Sequence, residues 1–202
     1  MGPVKLRFLN RALETKPKAG RAAREFAEMV GAVVNATISA APITLTEVVG
    51  QAETWYVAHV GPDKVPAPLP LTNGHYLYLY NRLGVRRKER YIATLEYRYV
   101  YQATESDDSW IFRYEYVREP PEPYPYPREH FHVNASPASY RGPEPFEGLH
   151  LPTGRRITVE RLVRHLIAEH GLEPISPDWE STLAEAEDHF REIQRKRMLD
   201  EP

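Results

Sequence analysis

The stretch "YPYPREHFHVNAS", residues 124–136, carries two histidines two positions apart, His130 and His132. On an extended strand that spacing turns both imidazoles to one face, about 6.5–7 Å apart along the chain. An imidazole titrates near neutral pH, so the pair suits general acid/base work or substrate binding. It also offers two ligands to a divalent metal ion, provided that others arrive from elsewhere in the fold. Glu129 points to the opposite face and is a poor third ligand; His75 and His150 cannot be placed beside the pair from sequence. The plainest alternative is two imidazoles on a solvated or hydrogen-bonded face.

A second set of groups lies just upstream. In "WIFRYEYVR" the charged Arg113 and Glu115 alternate with Phe112, Tyr114 and Tyr116, and in "RYIATLEYRYVYQ" Glu96 and Arg98 alternate with Tyr97 and Tyr99. Direct opposition of Glu96 and Glu115 would pair like charges twice. A shift of two residues pairs Glu96 with Arg113 or Arg98 with Glu115, and one of these registers is expected. Such a face is either a solvent-side charge ladder or an anion-binding floor, with Arg113 aimed at a phosphate or carboxylate and the histidines beside it. Arg113, Glu115, His130 and His132 are therefore the candidate catalytic residues. "RLGVRRKER", 82–90, reads as a basic hairpin loop; Arg86 and Arg87, with Arg98, are candidates for nucleic-acid or phosphate contact, against the alternative of a solvated loop. No Gly-rich phosphate loop, G-x-S-x-G, HExxH or dinucleotide fingerprint occurs, so the common enzyme classes gain no support.

These groups need a sheet to hold them. Period-two alternation in "HYLYLYN", "RYIATLEYRYVYQ" and "WIFRYEYVR" predicts antiparallel strands. One face of the second would carry Tyr91, Ala93, Leu95, Tyr97, Tyr99 and Tyr101. The matching face of the third would carry Trp110, Phe112, Tyr114 and Tyr116. An exposed Tyr/Arg sheet can stack bases, but Leu95 and Phe112 on this face favour a core. "TWYVAHV" reads as another strand, "EHFHVNA" as a further one, and "ATESDDS" as a hairpin loop. Proline at every second position from Pro121 to Pro127 forbids interior sheet pairing there. Helices are predicted over 18–38, 158–170 (Thr158 as N-cap, Gly171 as stop) and 177–197 (Ser176 as N-cap), each with an apolar stripe to bury. The fold expected is α+β: an antiparallel sheet of four to six strands, with one N-terminal and two C-terminal helices on its tyrosine side.

At 202 residues the chain fits a single domain, 1–202, with residues 1–17 as a loose arm, 43–133 as the sheet and 157–198 as the helical pair. It has no cysteine, which excludes disulfides, thiolate metal sites and a cysteine nucleophile and fits a cytoplasmic protein. No apolar run approaches the ~20 residues that span a bilayer. A net charge of −2 gives no global pull toward nucleic acid, though a local basic patch can.

The ordered set "YRYVYQ" (97–102), "IFRYEY" (111–116), a proline-containing spacer and "HFHV" (130–133) resembles the TumE family of small bacterial toxin-like proteins. Tyr114-Glu115 stands where that pattern has Tyr-Asp, and Arg128-Glu129 where it has a further histidine. The resemblance implies a cytoplasmic bacterial toxin component with a neighbouring antitoxin, and carries over Arg113, Glu115, His130 and His132. Three functions stay open: a toxin-like protein acting on nucleic acid or a nucleotide through its Arg/His face, a non-enzymatic module for a protein partner or a second copy of itself, and a metal-dependent enzyme using His130 and His132.

Overall fold

The computed structural model describes residues 19–86, 91–134 and 151–199, with the side chains of residues 86, 91 and 191–199 excepted. The expected arm at 1–17, Arg87 and His150 lie outside the described residues. The elements run α1 (Ala19–Thr37), β1 (Thr44–Glu47), β2 (Thr54–Ala58), β3 (Leu69–Pro70), β4 (Tyr76–Arg86), β5 (Tyr91–Gln102), β6 (Trp110–Val117), β7 (Glu129–Val133), β8 (Leu151–Pro152), α2 (Val159–His170) and α3 (Trp179–Leu199). The strands form one eight-stranded antiparallel sheet in the order β1-β2-β4-β5-β6-β7-β8, with β3 on the end of β4. The excess over the four to six strands expected comes from β3 and β8, two residues each, too short to show a period.

Each helix buries the stripe its sequence offers. Ala23, Ala27, Val30, Val33 and Val34 of α1 join Leu162, Val163 and Leu166 of α2 and Leu183 and Ala186 of α3. They cover one face of the sheet: Leu77, Leu79 and Leu83 of β4, Tyr97, Tyr99 and Tyr101 of β5, and Phe112 and Tyr116 of β6. The caps of α2 are those expected. The Thr158 side chain accepts from the backbone N–H of Arg161, and Gly171, at φ 63°, closes the helix with its N–H on the Leu166 carbonyl. On α3 the Ser176 hydroxyl accepts from the Asp178 N–H, and regular helix begins at Trp179, two residues later than expected.

Two bulges alter which residues share a face. Between Arg82 and Leu83 the β4–β5 register slips, so Leu95 and Glu96 both oppose Arg82. Below that point Ile92 and Thr94, rather than Tyr91, Ala93 and Leu95, turn to the helices. Leu95 turns outward onto Gly84, where a Cβ would lie 2.6 Å from Leu95 Cδ1, so only glycine fits without a shift. A second slip, between Tyr101 and Gln102, leaves Ile111 unpaired and sends Trp110 to the polar face, away from Phe112, Tyr114 and Tyr116. The expected basic loop is also mostly strand, since β4 continues through Arg86 and β5 resumes at Tyr91.

Candidate functional site

The outer face of the sheet is built by register. Tyr80 pairs with Arg98, Arg98 with Glu115 and Glu115 with His130; alongside, Val100 pairs with Arg113 and Arg113 with His132. Because the register is antiparallel and even across β5, β6 and β7, these side chains share one face. The Arg98–Glu115 pairing is one of the two registers predicted from charge alone. Arg82 and Glu96 extend the ladder with an ion pair of 3.4 Å.

At the centre stands the Glu115 carboxylate. Its Oε1 lies 2.8 Å from Arg98 Nε. Its Oε2 lies 3.1 Å from His132 Nε2, 3.4 Å from His130 Nε2 and 3.9 Å from Arg113 Nε. Burial by itself pushes this carboxyl up. The hydrogen bonds of His130 and His132 and the charges of Arg98 and Arg113 outweigh burial and hold it far below the ordinary carboxylate range. Arg113 Nη2 reaches His132 Nδ1 at 3.3 Å, and its guanidinium lies 4.9 Å from the centre of the Trp110 ring. Arg113 Nε, though buried, makes no hydrogen bond among the described residues, so this guanidinium has donor capacity to spare.

The two imidazoles are distinguished by their second nitrogens. A guanidinium can only donate, so His132 Nδ1 is the acceptor and its proton sits on Nε2, which lies 3.1 Å from Glu115 Oε2. His130 Nδ1 sits 2.7 Å from the Pro127 carbonyl, so it is the donor there, and its Nε2 faces Glu115. Both rings are buried, at 2% and 1% exposure, so of a solvated or a hydrogen-bonded face the structure has the second. The proline-rich segment after β6 contributes to this cover: Tyr124 and Tyr126 meet edge to face, and the Tyr126 ring lies 6.0 Å from that of His130. Glu115, Arg113 and Arg98 are progressively more open, at 15%, 30% and 53% side-chain exposure.

Arg113, Glu115, His130 and His132 are thus brought together, and Arg98 joins them. Arg86 is the last residue of β4; its side chain, like all of Arg87, lies outside the described residues. His75 is on the other side of the sheet, against the Tyr101 hydroxyl. Sequence reasoning missed Glu115 as a third candidate metal ligand. Its oxygen and the ring nitrogens of His130 and His132 all lie within 4.8 Å of one another. The signal was available in the register, since a residue opposite His130 on the neighbouring strand shares its face. Trp110 could not have been found that way, because a bulge places it.

Among the described residues no helix is long and apolar enough to cross a membrane. No curated protein and no solved structure matches the chain. A family model, that of toxin TumE, matches residues 45–154, from β1 to just past β8, which includes every strand that carries the cluster. That span is more than half of the chain, and with it the protein belongs to the TumE toxin family.

Proposed function

We propose that this chain is the cytoplasmic toxin of a toxin–antitoxin pair and acts on the phosphodiester or phosphate group of a nucleic acid or nucleotide, its antitoxin being a protein partner. The observation that carries the reading is His132, held between Glu115 and Arg113. The Glu115 carboxylate, 3.1 Å from Nε2, favours the tautomer with its proton there and leaves Nδ1 facing a guanidinium that has a donor to spare. A phosphate that takes Arg98 and draws Arg113 Nη2 away from His132 Nδ1 frees that lone pair for the attacking hydroxyl. His132 Nδ1 takes the hydroxyl proton as the new P–O bond forms, and the guanidiniums carry the charge on the non-bridging oxygens. The leaving oxygen takes its proton from solvent. His130, tied to Pro127, positions Glu115 and the proline-rich cover.

Two guanidiniums against one carboxylate favour an anion here. A divalent metal is the second reading, supported by the three clustered ligand atoms. His130 fits it, since a metal-bound imidazole commonly donates its other N–H to a carbonyl. His132 does not fit it as arranged, because an Nδ1 that accepts from Arg113 leaves the proton on Nε2. Metal analysis of the purified chain separates the two: near-stoichiometric zinc, manganese or nickel, lost in His130→Ala, favours the metal reading.

Induced expression tests the main reading. The wild-type chain is expected to arrest growth, and His132→Gln and Arg113→Ala to relieve the arrest, with in vitro rates down about 10²–10⁴-fold for the base. Unimpaired growth with the wild-type chain, or equal arrest with both folded variants, overturns it.

A further inference from the structure

The polar face carries a second feature that the acid/base cluster does not use. Tyr56 of β2 and Tyr78 and Tyr80 of β4 lie on it, half-buried, as a continuous strip. Tyr56 and Tyr80 stack at 6.1 Å between ring centres, and Tyr78 and Tyr80 at 6.3 Å. The core tyrosines of β5 each have a tied hydroxyl. Tyr97 accepts from the Ile157 N–H at 2.8 Å, Tyr99 donates to Asn81 at 2.8 Å, and Tyr101 meets Asn73 and His75. Among the described residues, none of the three outer hydroxyls makes a hydrogen bond to protein. Rings that stack without being anchored by their polar ends are free to take a further ring on their open side.

The strip is also placed next to positive charge. Tyr80 is the direct cross-strand partner of Arg98, and Tyr56 of Arg82. Three strand spacings, about 14 Å, separate Tyr80 from His130 along the register row. Aromatic rings beside guanidiniums on an open sheet match bases joined by phosphates; a duplex hides its base faces, and only a run of nucleotides covers both the strip and the His130–His132 end of the cluster.

We infer that Tyr56, Tyr78 and Tyr80 are a base-stacking platform that selects single-stranded nucleic acid and feeds it to the Arg113–His132 cluster. This rests on the nucleic-acid reading above and adds the form of the substrate. The experiment measures equilibrium binding of labelled oligonucleotides roughly ten nucleotides long, within the range of known single-strand sites, by fluorescence anisotropy. Single-stranded RNA, single-stranded DNA and the corresponding duplex are compared. Single strands are expected to bind at least tenfold more tightly than duplex. Tyr80→Ala is expected to weaken single-strand binding about tenfold, Tyr78→Ala/Tyr80→Ala still more, and Tyr80→Phe, which keeps the ring, to bind as the wild type does. Circular dichroism confirms that each variant is folded. Equal binding of duplex and single strand, unchanged binding by the double variant, or no binding of any oligonucleotide overturns the platform. The two readings fail separately. Normal binding by the tyrosine variants with growth arrest lost in Arg113→Ala sinks the platform alone. Weakened binding by the tyrosine variants with full arrest in both Arg113→Ala and His132→Gln sinks the acid/base cluster alone.

Discussion

On the helix side of the sheet, Tyr97 and Tyr99 stack at 4.6 Å with nearly parallel planes, buried and hydrogen-bonded. On the other side, Tyr56, Tyr78 and Tyr80 stack more loosely, half in solvent. The same residue type, on the same pleated layer, serves as filler on one face and as surface on the other. What separates the two is the fate of the hydroxyl and the company of the ring. Burial pushes the Tyr97 phenol up to about 12, against the opposing pull of its hydrogen bond from Ile157 and the charge of Arg156. Charged groups divide in the same way. Glu160 sits buried at the start of α2, beside a cavity of about 320 Å³ that Asn81 and Tyr99 also line, and burial pushes its carboxyl up. Glu115, across the sheet, is held down by two histidines and two arginines. A carboxyl whose burial is not offset by cations tends toward the neutral acid, and one held between two guanidiniums stays an anion.

That contrast can be broken most forcefully by truncating one tyrosine on each face. Tyr99→Ala is expected to cost about 3–5 kcal/mol in urea unfolding, the range for emptying a large buried aromatic site. Tyr80→Ala should cost no more than about 1 kcal/mol, as a surface change. Similar costs for the two would mean that both faces are core. Glu115→Gln comes next, at about 2–3 kcal/mol, because it removes the charge that Arg98, Arg113 and the two imidazoles face in a partly covered site. It should also alter the acid limb of stability. The folded carboxyl titrates below its ordinary value of 4.5, so its contribution is complete above about that pH and fades as the pH drops beneath it. In Glu115→Gln this fading is absent; an acid limb identical to that of the wild type would refute the assignment.

Smaller effects sharpen the helix side. Thr158→Ala removes the N-cap of α2 and should cost about 1 kcal/mol by chemical denaturation. His165 and His170 pack against Phe112, and burial lowers both below 6.5, with the neighbouring His165 and His75 adding to the shift of His170 and Glu169 opposing both. The unfolded chain therefore takes up these protons first, so stability is full above about pH 6.5 and declines as the pH falls below it. A paired His165→Gln/His170→Gln variant should flatten that upper, milder slope and leave the lower one, from Glu115, in place. Differential scanning fluorimetry across the acid range reads both.

Much of this was legible in the chain. Alternation located the long strands, charge matching narrowed the β5–β6 register to two of which Arg98–Glu115 is one, and caps fixed α2. The histidine pair and Arg113 fall on one face because an even register leaves no other choice. Three things were not legible. β3 and β8 are too short to carry a pattern. The covering of His130 and His132 involves the proline-rich segment, whose return over the sheet no local propensity encodes. The two bulges break the parity on which every face assignment depends, and they moved Trp110 under Arg113 and Ile92 into the core. The family match runs from β1 to β8 and leaves α1, α2 and α3 outside it, so the part of the chain legible by kinship is the layer that bears the cluster.

The extra residue at Leu95 has a consequence for how this strand can change over generations. Substitutions along β5 act one side chain at a time. Losing the Leu95 codon would only straighten the bulge, bringing Glu96 beside Thr94 and leaving Ile92 and Thr94 still turned to the helices. The strand can therefore lose a residue at this one point without trading its faces, whereas a change of length in its regular part would shift every side chain beyond it.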